Sequence, residues 1–333
     1  MAKIKPIEAH THAASKETYE RVYADVARFI RTKLKWRGIH TLICSQLGSA
    51  LDGASVLDVG CGMGRFAFLA SRRAKRVIGL DMTPQALEVA SALKDALAAP
   101  NVEFILSSIE EYVPPSRPFD VVVLGGVLEH LIDPDAVMRS IGRLLRPGGR
   151  LVINCPSESN FRGDVSTTLL RLFGFPMSLC DVRIVTPAFM RQLAAQYGYE
   201  LSQTLGCMYG RAWTQMGSED LAQRVPNVLE DVAEKAQGWP ADLDAFRRWV
   251  AERAEENREL LSDWERRGIL KRIPSREALR YSEEVVQRRG LPPAEIREYL
   301  APEFSSEPYY ADAPPYNWMG GQAVYFLTKR RSG

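Results

Sequence analysis

The chain has 333 residues, 46% hydrophobic and 25% charged. That balance excludes a disordered chain, a collagen or a coiled-coil rod, and the length suffices for a large core without disulfide staples. Its 43 basic and 41 acidic residues leave a formal charge of +2, without the basic excess of a protein that grips duplex nucleic acid. Five cysteines, with no CxxC pair, argue against a disulfide framework or a zinc ribbon and fit a reducing compartment. Met1–Ser15 lacks the apolar segment of a signal peptide, and the apolar run Val121–Leu128 is far shorter than a membrane span. We therefore expect a cytoplasmic protein with no membrane, nucleic-acid or metal partner.

Residues 1–50 read as a helical cap, because Tyr19, Val22, Tyr23, Val26, Phe29 and Ile30 recur at helical spacing. Residues 51–210 then alternate strand and helix. Strands are expected at Ser55–Val59, Arg76–Leu80, Val102–Leu106, Phe119–Leu124 and Leu151–Cys155, with helices at Arg65–Ser71, Pro84–Leu97 and Pro134–Leu145. Arg146–Gly149 reads as a turn, and 156–185 as irregular. Thr186 is placed to cap a helix reaching Tyr197, ahead of a sixth strand, Leu201–Tyr209. Residues 211–318 have a helical pattern, with balanced charge over 241–300, and Gln322–Thr328, within a final segment 319–333, reads as a seventh strand. This alternation implies a doubly wound α/β sheet with ligands at the carboxyl ends of its strands.

The sharpest local signal is Asp58-Val59-Gly60-Cys61-Gly62-Met63-Gly64, glycines at a strand-to-helix turn where backbone can approach a ligand. A dinucleotide fingerprint would place its third glycine at 65, where this chain has Arg65. Asp81 ends the second strand, where a carboxylate can accept hydrogen bonds from both hydroxyls of a ribose. A carboxylate at 58 would repel a pyrophosphate but welcome a ligand with an ammonium and a sulfonium. The pair therefore suits S-adenosylmethionine better than a nicotinamide dinucleotide.

These residues, with Phe119-Asp120-Val121-Val122, Leu128-Glu129-His130-Leu131 and Leu145–Leu151, resemble the ordered motifs of class I S-adenosylmethionine-dependent methyltransferases. The likeness is nearest to the small-molecule branch that includes ubiquinone-biosynthesis O-methyltransferases, and Asp181–Pro187 resembles the loop before that branch's last helix. The resemblance implies a seven-stranded Rossmann-like sheet with an antiparallel last strand; the segment between the last two strands, by its pattern, reads as a helical insertion. It also implies that Gly60, Gly62 and Gly64 pack against the methionine part of S-adenosylmethionine and that Asp81 holds the ribose; Asp58, Cys61 and Met82 are further candidate cofactor contacts. Gly125 leaves room for the ligand. The position that often bears an aspartate near the adenine is Ser108, followed by Ile109; the Ser108 hydroxyl or backbone around Ile109 could substitute.

Methyl transfer from a sulfonium needs alignment, exclusion of water and, for a hydroxyl acceptor, removal of a proton. His130, after the fourth strand, is the candidate general base, with helix capping as its structural alternative. Asn160, Arg162, Asp181, Tyr309 and Tyr316 are the candidate acceptor contacts, and Tyr19 and Tyr23 could lid the site. The reading is thus an enzyme that methylates a small molecule, most readily at oxygen. In it the 211–318 insertion shapes the acceptor pocket or forms a homodimer contact. Rival readings are an N-methyltransferase on a small amine, a nucleic-acid methyltransferase, a nicotinamide-dependent oxidoreductase and a non-catalytic S-adenosylmethionine-binding subunit.

Overall fold

The computed structural model describes residues 38–114, 118–173, 182–213, 243–278, 280, 281, 284 and 308–331. Tyr19, Tyr23 and Asp181 lie outside them, as does most of the expected N-terminal cap. Its described part begins with α1 (Gly38–Leu47), which buries Ile39, Leu42, Ile43 and Leu47 along one stripe.

The α/β alternation follows: β1 (Ser55–Val59), α2 (Arg65–Ser71), β2 (Arg76–Asp81), α3 (Pro84–Leu97), β3 (Val102–Leu106), β4 (Phe119–Gly125), α4 (Pro134–Leu144) and β5 (Leu145–Pro156). Then come α5 (Phe161–Phe173), α6 (Pro187–Gln196), β6 (Tyr199–Cys207), α7 (Tyr209–Trp213), α8 (Leu243–Arg266), β7 (Lys271–Arg272), β8 (Tyr309–Ala311) and β9 (Gln322–Lys329). All strands join one sheet in the order β3-β2-β1-β4-β5-β9-β6-β8-β7. Strands β1 to β5 pair in parallel, and β9 runs antiparallel between β5 and β6. Among the described residues no helix is long and apolar enough to cross a membrane.

The sheet is covered on both faces, which explains the continuous apolar runs of its central strands. Val56, Val121, Val123 and Val152 face one core with α1, α2 and α3, whereas Leu57, Val122, Leu124 and Ile153 face a second with α4 and α6. Each fully buried side chain of this kind contributes about 1.5–3 kcal/mol. Caps fix where the helices start. Asp133 accepts the Ala136 N–H at 2.9 Å at the head of α4, and Thr186 accepts the Phe189 N–H at 3.1 Å at the head of α6, the cap its sequence position suggests.

Three expectations are corrected. Among the described residues the sheet has nine strands rather than seven, because β7 and β8, both from the segment expected to be helical, extend it beyond β6. Arg146–Gly149 is a bulge inside β5 rather than a turn before it, with the register stepping from Phe119↔Leu145 to Val121↔Arg150. Asp120 holds that bulge, accepting the Ser55 N–H at 2.8 Å and Arg146 Nε at 2.5 Å. Burial pulls the Asp120 carboxyl upward, but these two donors outweigh it and leave the group below its ordinary range. The third correction is α5, which occupies part of the stretch expected to be irregular.

Gly64 shows why the glycine turn needs its residue type. It adopts φ +76° as the cap of α2, and a Cβ there would lie 2.4 Å from the Phe104 ring. Gly64→Ala is therefore expected to cost about 2–4 kcal/mol, the sum of left-handed strain and overpacking. Gly48→Ala, at φ +49° but with nothing within 4 Å, should lose only the strain, about 1–2 kcal/mol. Equal losses for both in urea titrations would contradict the packing role.

Candidate functional site

The carboxyl ends of β1, β2 and β4 converge at the glycine turn, and two cavities flank it. Both are bordered by Gly60 and Gly125. Gly60 lies at φ +66°, and a Cβ there would meet Val127 Cγ2 at 2.4 Å, so the turn and the loop after β4 close together only because position 60 has no side chain.

The larger cavity, about 380 Å³, lies along the ends of β2, β3 and β4. Asp81, Met82, Ser108, Ile109, Gly125 and His130 all border it, as do Thr83, Val127, Leu131 and Ile132. Asp81 organises its floor: Oδ2 accepts the Gly62 N–H and Oδ1 the Thr83 N–H, each at 2.8 Å. A carboxylate offers about four lone-pair sites, so each oxygen retains one for a ligand. Ser108 Oγ accepts the Glu111 N–H at 3.2 Å, keeping the loop after β3 turned back beside the cleft.

The smaller cavity, about 130 Å³, is polar. Asp58, Cys61 and Gly62 border it, together with His40, Arg65 and Asn154. Asp58 is 3% exposed, and its Oδ2 has no hydrogen-bond partner among the described residues. Burial pushes its carboxyl up to about 8; the Ala67 N–H opposes that shift and the charge of Asp81 adds to it. Burial, then the charges of Asp58 and Asp81, also push the Cys61 thiol up, so it stays protonated and is no nucleophile. An unsatisfied buried carboxyl bordering a polar cavity is a socket for a cationic group.

His130 ends a short 3-10 turn, Leu128–His130, after β4. Its Nε2 lies 3.8 Å from Oε1 of the buried Glu129. Five sequence candidates sit elsewhere. Gly64 borders neither cavity, its missing side chain making room for Phe104 rather than for a ligand. Asn160 is saturated by structure: Nδ2 donates to Ser157 O at 2.7 Å and Gly320 O at 3.0 Å, and Oδ1 accepts the Gly163 N–H at 2.9 Å. Tyr309 bonds Glu265 and Arg272 near the α8 terminus, and Tyr316 packs its ring 5.1 Å from Trp264. Arg162 is half-buried on α5 and borders neither cavity.

Sequence reasoning missed His40 and Asn154. His40 comes from a helix whose apolar stripe was its only signal. Asn154 breaks the apolar run of β5 and was the legible one; its Nδ2 donates to Gln322 Oε1 at 3.1 Å on β9.

Comparison with known proteins agrees with this architecture. Residues 50–183 match the family described as a methyltransferase domain. The chain is 32% identical over 145 residues to a ubiquinone biosynthesis O-methyltransferase of Klebsiella pneumoniae, covering 39% of this chain and 59% of that protein. It is 35% identical over 106 residues to the Xylella fastidiosa protein of the same name, covering 32% and 43%. The chain thus spans less than two thirds of either relative. In fold it is similar to a SAM-dependent methyltransferase from Thermotoga maritima (TM-score 0.50, 13% identity, 94% of this chain and 98% of that one). It is also similar to the [4+2]-cyclase SpnF (TM-score 0.51, 16% identity, 100% of each). Residues 50–183 thus resemble a methyltransferase domain, on a fold similar to that of an S-adenosylmethionine-dependent methyltransferase. S-adenosylmethionine is the cosubstrate of that class, and the unsatisfied Asp58 and the two-sided cavity fit it.

The raised Asp58 carboxyl has a consequence for stability. A carboxyl whose folded value lies above its ordinary 3.8 costs the ligand-free protein stability as pH climbs from about 4 through about 8. Asp58→Asn should therefore melt with the parent near about pH 3.5 and above it near about pH 8.5. The same variant should bind S-adenosylmethionine at least about tenfold more weakly, having lost the anionic partner of a buried cation. Scanning fluorimetry and calorimetry measure the two; a variant less stable than the parent at the higher pH would refute the strain.

Proposed function

We propose that the protein transfers a methyl group from S-adenosylmethionine to a small-molecule acceptor, at a hydroxyl oxygen, with His130 as general base. The observation that bears most weight is Asp58, a buried carboxyl with one oxygen unpartnered among the described residues, bordering the polar cavity beside a larger cleft floored by Asp81. In this reading Asp58 meets the ammonium of the amino-acid end, Arg65 its carboxylate, and Asp81 the ribose hydroxyls. Met82, Ile109 and Val127 wall the base, and Ser108 supplies a polar edge beside it.

S-adenosylmethionine, when bound, supplies a methyl group already activated by its sulfonium charge. The protein's own part is to exclude water, align the acceptor and take its proton. His130 stands at the carboxyl end of the sheet, bordering the larger cleft, and an imidazole is suited to receive a proton near neutrality. The Glu129 carboxylate at 3.8 Å favours the charge that His130 gains. Oxygen as the acceptor atom is supported by the likeness to ubiquinone biosynthesis O-methyltransferases. The likeness to SpnF is a likeness of fold, and fold alone does not set the reaction. With this reading go a cytoplasmic location and a 211–318 segment that shapes the acceptor pocket or forms a homodimer contact.

Calorimetry with S-adenosylmethionine tests the cosubstrate. Asp81→Ala should weaken its binding at least about tenfold, because charged-group hydrogen bonds are worth about 1.5–3 kcal/mol each; unchanged affinity would remove the ribose role. For the base, a screen of hydroxyl compounds for S-adenosylhomocysteine formation provides an acceptor. His130→Ala should then lower kcat by about 100-fold or more and leave the cosubstrate Kd within about twofold. A loss below about tenfold would count against the base.

A further inference from the structure

The loop that bears His130 is fastened by a segment distant in sequence. After the 3-10 turn the chain runs through Leu131 and Ile132 to Asp133, the cap of α4. Val182 donates its N–H to Glu129 O at 2.9 Å. The next residue, Arg183, donates through one guanidinium nitrogen to both Leu131 O and Ile132 O, the second at 3.2 Å. The three acceptor carbonyls thus bracket His130 on both sides. A guanidinium donor makes such bonds roughly twice as strong as neutral ones.

The other end of this clamp is rigid. Arg183 lies with its guanidinium carbon 6.0 Å from the centre of the Phe189 ring, a residue of α6. Phe189 is also the residue whose N–H caps onto Thr186, and α6 is rooted in the second core by Met190 and Leu193. Arg183 itself borders neither cavity. Its charge is therefore directed to backbone carbonyls beside the candidate base.

We propose that Arg183 is a positioning residue: with the Val182 N–H it references the His130 loop to α6 and so fixes the imidazole at the cleft. The proposal rests on the reading of His130 as base for its functional meaning, but not for its geometry. The chain has only four histidines, His10, His12, His40 and His130, so ring-labelled histidine spectra are simple, and His130→Ala assigns the signal.

In Arg183→Met the His130 ring signal should shift and broaden while the His40 signal stays, and Arg183→Lys should largely restore it. With the acceptor returned by the screen, Arg183→Met should lower kcat by about 10- to 100-fold, as a base displaced by about 1 Å would, leaving acceptor KM and cosubstrate Kd unchanged. An unmoved His130 signal in Arg183→Met overturns the proposal, as does a moved signal with full kcat when His130→Ala is impaired. If Arg183→Met fails to fold, Arg183→Gln, which keeps one amide donor, should give an intermediate displacement, and none would be equally fatal. If His130→Ala retains its activity the base reading falls, and the spectra still decide the clamp.

Discussion

Three parallel strands ending side by side govern everything at the site. β1 pairs with β2 so that Asp58 lies level with Gly79, and with β4 so that Asp58 lies level with Val123. That register brings Asp58, Asp81 and Gly125 to the same edge, with the glycine turn between them. It demands small residues where the strands meet the turn. A side chain at Gly79 would lie 2.7 Å from Phe104 and 2.8 Å from the Cys61 sulfur. Asp81 then closes the arrangement by accepting N–H groups from both the turn and the start of the next loop. One carboxylate thereby sets the shape that a nucleoside would meet.

The second carboxylate works against the fold. Asp58 is buried at the end of β1 with one oxygen unsatisfied among the described residues, and a buried polar group without a partner costs about 1–3 kcal/mol. The two continuous cores on either face of the sheet easily offset so small a cost. Sites built for a charged ligand often keep such a debt in the empty state and settle it on binding. This arrangement also distinguishes two residues that look alike in sequence: Asp81 accepts two backbone N–H groups and borders the larger cleft, whereas Asp58 keeps one oxygen unpartnered among the described residues.

Much of this was legible in the sequence, and the rest was not for definite reasons. β1, α2, α3 and β3 have the limits their residue patterns suggest, because short apolar strand runs, the glycine turn before α2 and the proline at the head of α3 leave local signatures. The Arg146–Gly149 bulge was misread as a turn: Pro and two glycines look the same in either setting, and only the pairing of β4 with β5 distinguishes them. The short strands β7 and β8 have no periodicity of their own and exist because β6 leaves an edge to pair with. At the site, the acids and glycines were found from spacing, since a strand-to-helix turn fixes the geometry locally. Asn160 looked available as a polar residue in a loop, but its partners, Ser157 and the distant Gly320, could not be read from the sequence. His40 was hidden for the opposite reason, a polar residue on an otherwise apolar stripe.

The position of β9 has a consequence for how the molecule is made. It lies between β5 and β6, which pair with it and not with each other. During synthesis both neighbours emerge first and must wait, edges bare, until everything from Met208 to Gly321 has left the ribosome. At ordinary translation speed that interval is on the order of ten seconds, and a bare strand edge is a template for mispairing with another nascent chain. Prematurely terminated chains lacking β9 would keep the glycine turn and both acids yet leave a gap in the middle of the sheet, a species for chaperones rather than for chemistry.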